Sequence, residues 1–366
     1  MDYKIAVPRV LSLFDGVSCT RQALDNLGIP VKYFASEVDP KAIEIAQANY
    51  PDVTQIGDVK HVSGYNSIYS HHGIDLLIGG SPCQDLSFAG HQAGLKEGTR
   101  SSLFFEYVRI LREIQVHSPD VVFILENVKM SKKNQNIISQ ELGVEPVEIN
   151  ASLVSAQNRR RLFWCNRPIR QPQDLGLVMD DILEDGFVSD RNKSFCIDAN
   201  YWKGGNLKSY FEKHRRQLVF FKDGLCHVGD ADIKGIDSIK RVYHRTGKAP
   251  TLTTMGGGHR EPKVLCGAFR GRYNSDGSTS QQLELRFDNK TNSLTTVQKD
   301  NVAVSPEELK WRKLTVKECE RLQGMKDDYT KFDSTGKVIA NTHRYKAIGN
   351  AFNVPVIQHI LSEVLQ

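Results

Sequence analysis

Through the first third of the chain, short apolar runs alternate with stretches whose apolar residues recur at helical spacing. That alternation predicts βαβ units and a parallel sheet: a strand buried on both faces reads as a continuous apolar run, whereas its crossover helix shows one apolar stripe. Strands are expected over residues 10–14, 33–37 and 54–58, with two more through Leu76-Leu77-Ile78 and through Val121-Val122-Phe123-Ile124-Leu125. Asp39-Pro40 predicts a helix start, the carboxylate as N-cap and the proline in the first turn, with Ala42, Ile45 and Ala46 on its inner face. A further helix over residues 101–115 would turn Leu103, Tyr107, Leu111 and Ile114 into the core.

After Arg167 the pattern breaks into glycine, charge and short β-like pieces, with no sustained helix before Thr315. A last helical stretch covers residues 354–365. The fold expected is α/β, a doubly wound and mostly parallel sheet, with a smaller β-rich domain. Residues 1–166 and 340–366 would form a discontinuous first domain and residues 167–339 the second. Inside the second, Arg245, Lys248 and Thr251-Leu252-Thr253-Thr254 are echoed by Arg286, Lys290 and Ser293-Leu294-Thr295-Thr296, an echo short enough for chance or duplicated hairpins.

Length and charge narrow the classes. A chain of 366 residues can bury an α/β core and still carry a second domain. No apolar stretch approaches bilayer length and no signal-peptide pattern opens the chain, so a cytoplasmic protein is expected. Seven cysteines stand without any C-x-x-C pair, which argues against a zinc site or a disulfide framework, and no metal is expected. The net charge of +5 is uneven: residues 191–299 hold 20 Lys/Arg against 10 Asp/Glu. A basic middle segment suits a phosphate backbone, although a solvated basic face would read the same way.

Two polar groups follow the buried runs. Cys83 stands in Gly79-Gly80-Ser81-Pro82-Cys83-Gln84, directly after one run, and Glu126-Asn127-Val128 ends another. Open α/β sheets bind ligands beyond their carboxyl strand ends, so this pair marks a site candidate. Taken singly, each has a plain reading, a small buried hydrophobe for the cysteine and a solvated carboxylate or helix cap for the glutamate. At the first turn, strand, glycine and helix over residues 10–27 make a nucleotide-like cradle whose backbone N–H groups would face the ligand. There is no G-x-G-x-x-G, which disfavours a dinucleotide enzyme. Glu37 ends the second strand, where it can accept from ribose hydroxyls, and Asp58 ends the third, where it can accept from an adenine amino group. In Gln157-Asn158-Arg159-Arg160-Arg161, a strand would point Arg159 and Arg161 one way and Arg160 the other.

In this order Phe14-Asp15-Gly16, Glu37, Asp58, Pro82-Cys83-Gln84, Glu126-Asn127-Val128, Gln157-Asn158-Arg159-Arg160-Arg161 and Gly349-Asn350 resemble the DNA cytosine-5 methyltransferase family. Residues 100–111 and 154–166 are most similar to the animal de novo branch and its bacterial and phage relatives. The resemblance spans nearly the whole chain outside the middle segment. It implies the S-adenosylmethionine-dependent methyltransferase fold, S-adenosylmethionine as cofactor and duplex DNA as partner. The cofactor residues it implies are Phe14, Asp15, Gly16, Glu37, Val38, Asp58, Val59, Pro82 and Asn350. Where family members carry further glycines after Gly16, this chain has Val17-Ser18-Cys19-Thr20.

For the reaction, the resemblance implies a Cys83 thiolate attacking cytosine C6, Glu126 engaging N3 with a proton carried or shared, and Arg161 with Arg159 holding O2. The base must be flipped out of the duplex. Residues 84–98, with Gly90, Gly94 and Gly98, would form a lid, and Ser87 or Gln92 would fill the gap left by the base. Residues 167–339 would recognise the target, and residues 251–258 resemble the segment near the flipped nucleotide's phosphate. The alternatives are a tRNA methyltransferase on the same scaffold and a DNA-binding regulator without activity, the latter disfavoured by the intact Cys83, Glu126, Arg161 and Glu37. An amino-methyltransferase would need an Asp/Asn-Pro-Pro-aromatic motif, which does not occur. A cognate restriction endonuclease is a compatible partner, and a monomer suffices.

Overall fold

The computed structural model describes residues 7–63, 73–82, 103–206, 210, 213–221, 227–230, 241–243, 263–264, 266–273, 279–286, 301–302 and 311–365, side chains from 221 to 310 excepted. Cys83, residues 84–98, residues 251–258 and most of the internal echo lie outside the described residues.

The first half alternates as its apolar pattern predicts: β1 (Arg9–Leu13), α1 (Cys19–Asn26), β2 (Lys32–Ser36), α2 (Pro40–Asn49), β3 (Thr54–Gln55), β4 (Leu76–Gly80), α3 (Leu103–His117), β5 (Val122–Val128), α4 (Lys132–Leu142), β6 (Val147–Asn150) and β7 (Arg160–Cys165). These strands form one seven-stranded sheet in the order β3-β2-β1-β4-β5-β7-β6. β3, β2, β1, β4 and β5 run parallel, while β7 is antiparallel to both β5 and β6. The strand order reverses between β1 and β4, the switch point at which such sheets bind ligands.

Period-two alternation divides the strands between two cores. Val10, Leu76, Ile78, Ile124 and Phe163 face one side, and Leu11, Leu13, Leu77, Leu125 and Trp164 the other. α1 and α7 (Val354–Val364) cover the first side, and α3 covers the second through Tyr107, Leu111 and Ile114. The cap of α2 forms as its sequence dictates, the Asp39 carboxylate accepting from the Lys41 N–H at 3.0 Å.

The middle of the chain contributes small sheets. β8 (Phe187–Val188), β9 (Leu218–Phe221) and β16 (Trp311–Lys313) form one, over a satellite core of Tyr210, Leu218 and Phe220. β10 (His227–Asp230), β11 (Arg241–Tyr243) and β12 (Lys263–Val264) form a second; β13 (Cys266–Tyr273), β14 (Thr279–Arg286) and β15 (Asn301–Val302) form a third, antiparallel one. α5 (Val316–Leu322) starts at Thr315 with a capping box to Glu318, and α6 (Asn341–Asn350) leads into α7. Ile197 and Tyr201, between β8 and β9, and Leu314, Cys319 and Met325, after the small sheets, pack into the same core cluster as Val10 and Ile360. No described helix is long and apolar enough to cross a membrane.

Candidate active site

Every parallel strand but β3 runs directly into the rim of one cavity of about 330 Å³, and β3 reaches it through Asp58 and Val59. Phe14, Gly16, Glu37, Val38, Asp58, Val59, Pro82, Glu126, Arg159, Arg161 and Asn350 all line it. Of the sequence-predicted residues that are described, only Asp15 is absent from the lining. Because β7 is antiparallel to its neighbours, its N-terminal end, with the arginines, reaches the edge where β4 and β5 end.

The turn after β1 departs from the expected cradle. Phe14, Gly16 and Ser18 all take left-handed backbone conformations, with φ of 57°, 60° and 59°. Three N–H groups of the turn are engaged within the protein. The Asp15 N–H donates to Ser36 O, that of Gly16 to Glu37 Oε2 at 2.8 Å, and that of Ser18 to Asp15 O. Ser18 stands where glycine would be less strained, and its hydroxyl donates to Asp15 Oδ2 at 2.5 Å. Glu37 is fixed by three N–H donors, Gly16 on Oε2, and Val38 and Asp39 on Oε1 at 2.7 and 2.9 Å. A carboxylate has about four lone-pair sites, so one remains for a ligand hydroxyl.

The residues present suit S-adenosylmethionine. The cavity falls in the size range of sites for small ligands. Carboxylates at Glu37 and Asp58 can accept from ribose and adenine, and Val38, 63 % exposed, offers an apolar face at the rim. Replacing Glu37 by Gln should weaken the cofactor at least ~10-fold, because an acceptor charge is lost and the N–H clamp is broken. Titration calorimetry with S-adenosylhomocysteine checks this, and an unchanged affinity contradicts it.

Asp15 turns into the protein instead. Its carboxylate accepts from Tyr33 Oη at 2.6 Å as well as from Ser18, and burial pushes its pKa up from 3.8. An acid raised in the folded state stabilises most fully below its unfolded value of 3.8, and that stability is lost as pH rises through the folded value. At a pH above the folded value the buried charge is a net cost. Asp15→Asn, which keeps the shape and removes the charge, should leave the melting temperature at pH 7 unchanged or higher; a drop of several degrees counts against this account.

On the other side of the cavity, strand parity puts Gly80, Glu126 and Arg161 on one face. Arg161 Nε lies 2.9 Å from Glu126 Oε1, in a pair whose side chains are 18 % and 13 % exposed. Arg160 points the opposite way, toward Glu148, as the alternation predicts. Glu126 does not merely follow a strand: β5 continues through Val128, so the carboxylate is held in register opposite Phe163. Arg159 is buried, and it donates to Ile197 O, Gly349 O and Ala351 O, with Cys196 Sγ at 3.4 Å. Burial pushes its pKa down, and the neighbouring Arg161 charge acts in the same direction.

Two groups at this site had no role in the sequence reading. Asn127, 1 % exposed, donates to Ser81 Oγ at 3.0 Å and accepts from the Val128 N–H, fixing the chain two residues before Cys83. A side chain at Gly80 would bring its Cβ to 2.6 Å from Phe352 Cε1 and 3.1 Å from Glu126 Oε2. Phe352 thus closes on β4 only because residue 80 is glycine. Its position in a loop, without periodicity, left no signal; Asn127 was visible only as part of a motif.

A doubly wound seven-stranded sheet with one inserted antiparallel strand and a cavity at its carboxyl edge defines the S-adenosylmethionine-dependent methyltransferase class. Residues 8–366 match the profile of the C-5 cytosine-specific DNA methylase family, and the chain belongs to that family. It is 29% identical to the orphan methyltransferase M.SPBetaI of Bacillus phage SPbeta, over 98% of this chain and 97% of that one. The same figures hold for the putative type II methyltransferase M.BsuMIIP of Bacillus subtilis strain 168. Among solved structures, a Spodoptera frugiperda DNMT2 mutant shares the fold with a TM-score of 0.55 at 14% identity, covering 98% of this chain and 100% of that one. DNA binding, extrusion of the target base and transfer of a methyl group to cytosine C5 follow from the family.

Proposed function

We propose that this protein methylates a cytosine flipped from duplex DNA through a covalent Cys83 adduct, using S-adenosylmethionine in the cavity at the strand ends. The observation that carries the reading is the facing of Glu126 and Arg161 at 2.9 Å on one rim, with Glu37 and Asp58 on the same cavity and Pro82 leading into Cys83.

Cytosine C5 is a weak nucleophile until a second nucleophile adds to C6. The Cys83 thiolate forms the S–C6 bond, and the ring electrons shift toward C5 and N3. Glu126 delivers or shares a proton at N3, so that charge does not accumulate there. Arg161 donates to O2 and carries the rest of the developing negative charge. When bound, S-adenosylmethionine supplies an electrophilic methyl group. C5 takes that methyl, with S-adenosylhomocysteine as the other product; the N3 proton returns to Glu126, a base removes the C5 proton, the electrons of that C–H bond re-form the C5–C6 double bond, and the Cys83 thiolate leaves with the S–C6 pair. Arg161 is already within reach of Glu126, so one ring can engage both side chains together.

Residues 167–339 are the proposed recognition region, with segments such as 194–201 and 314–325 also serving as packing for the sheet. Two related proteins bear the names orphan methyltransferase and putative type II methyltransferase, which suits a bacterial or phage modification enzyme, alone or beside an endonuclease. The test is transfer of labelled methyl to duplex DNA and to tRNA side by side, followed by mapping of the DNA product. Label in DNA at a fixed sequence is expected, with affinity falling steeply as salt rises, by about 0.9 log unit per log salt for each phosphate contacted. Label confined to tRNA reassigns the substrate, and label in neither removes the reading.

A further inference from the structure

We propose that Arg159 is a positioning residue that holds the cofactor-side segment 349–351 in register with the base-side edge of β7, rather than a group that touches the base. The proposal rests on the functional reading above and extends it to how the two halves of the cavity are assembled.

The guanidinium is spent on backbone. One terminal nitrogen, Nη1, donates to Ile197 O at 3.1 Å; the other, Nη2, donates to Gly349 O at 3.3 Å and Ala351 O at 2.9 Å. These last two carbonyls flank Asn350, which lines the cavity. They stand at the C-terminal end of α6, where the final carbonyls have no partner within the helix and the helix dipole favours a cation. Gln323 Nε2 donates to the neighbouring Ile348 O at 2.9 Å, so the segment is pinned from two directions. Gly349 adds a second constraint: a Cβ there would lie 2.3 Å from the Asp198 carbonyl carbon, so residues 349 and 198 meet backbone to backbone.

The arginine itself has little freedom. It is 5 % exposed, and its own N–H donates to Asn150 Oδ1 at 3.0 Å. Arg159 and Arg161 are two residues apart at the N-terminal end of β7, one just before the strand and tied to the cofactor side, the other within it and paired with Glu126. A lysine would supply charge but not the planar fork that reaches two segments at once.

The experiment compares Arg159→Lys with Arg161→Lys in the full chain. Arg159→Lys should weaken S-adenosylhomocysteine binding by calorimetry at least ~10-fold and raise the KM for S-adenosylmethionine in parallel, with kcat at saturating cofactor within ~3-fold of wild type. Arg161→Lys should show the opposite split, a lowered kcat with nearly unchanged S-adenosylhomocysteine affinity. A collapsed kcat with unchanged affinity in Arg159→Lys would overturn the proposal in favour of base contact, and no change in either would overturn it outright. If Arg159→Lys shows no cooperative melt, Gly349→Ala carries the test. It forces the same segment away from residue 198 with Arg159 in place, and unchanged affinity there sinks the idea. Should the wild type methylate neither DNA nor tRNA, the functional reading fails, while calorimetry still decides the role of Arg159.

Discussion

Cys83→Ser should reduce methyl transfer to duplex DNA by at least ~10³-fold while leaving S-adenosylhomocysteine affinity within a few-fold of wild type. Sulfur is the better nucleophile at neutral pH because a measurable fraction of a thiol is ionised, whereas a serine hydroxyl needs a base to deprotonate it. The exchange replaces one atom of a short side chain, so the cofactor contacts of Glu37 and Asp58 should not be disturbed. A duplex carrying 5-fluorocytosine sharpens the result, since the C5 fluorine cannot leave as a proton and the S–C6 bond persists. A stable protein–DNA adduct is expected for wild type and none for Cys83→Ser. Turnover of more than a few per cent in the variant would falsify the nucleophile assignment.

The sheet was legible from the chain because buried parallel strands write themselves as apolar runs. Val10 to Leu13, Leu76 to Ile78 and Val122 to Leu125 alternate between two cores, with buried Ser12 the one polar residue inside these runs. Glu126 and Arg161 were legible for the same reason, since strand parity and motif order agree about where each points. Asp15 was not. Its direction is set by the positive φ of Phe14 and Gly16 on either side, a backbone property that an aspartate after a strand does not announce. At the same turn three N–H groups of the expected cradle are taken up within the protein, in part because Glu37, read only as a ligand group, also accepts from Gly16, Val38 and Asp39. Composition marked the middle of the chain as different but said nothing of packing. Ile197, Tyr201 and Leu314 join the main core through single apolar residues in irregular segments, where no period exists to be read.

Glu126→Gln should lower kcat by about 10²–10⁴-fold, with the fold and DNA binding retained. The amide has the same shape and can still hydrogen-bond, but it has no acidic proton to give to N3, so the S–C6 adduct would form against an uncompensated ring charge. The ion pair with Arg161 is lost as well. That loss should cost little stability: Arg161 also donates to Arg160 O at 2.8 Å, and its side chain keeps 18 % exposure, so the cation is not stranded. Arg161→Lys removes the complementary half, a planar donor at O2, and should cost on the order of 10²-fold in kcat. Because the two side chains act on one ring at one moment, the double variant should lose much less than the product of the single losses. Full additivity would mean that Glu126 and Arg161 serve different steps, and a Glu126→Gln enzyme with near-normal kcat would leave the carboxylate as a structural partner for Arg161 alone.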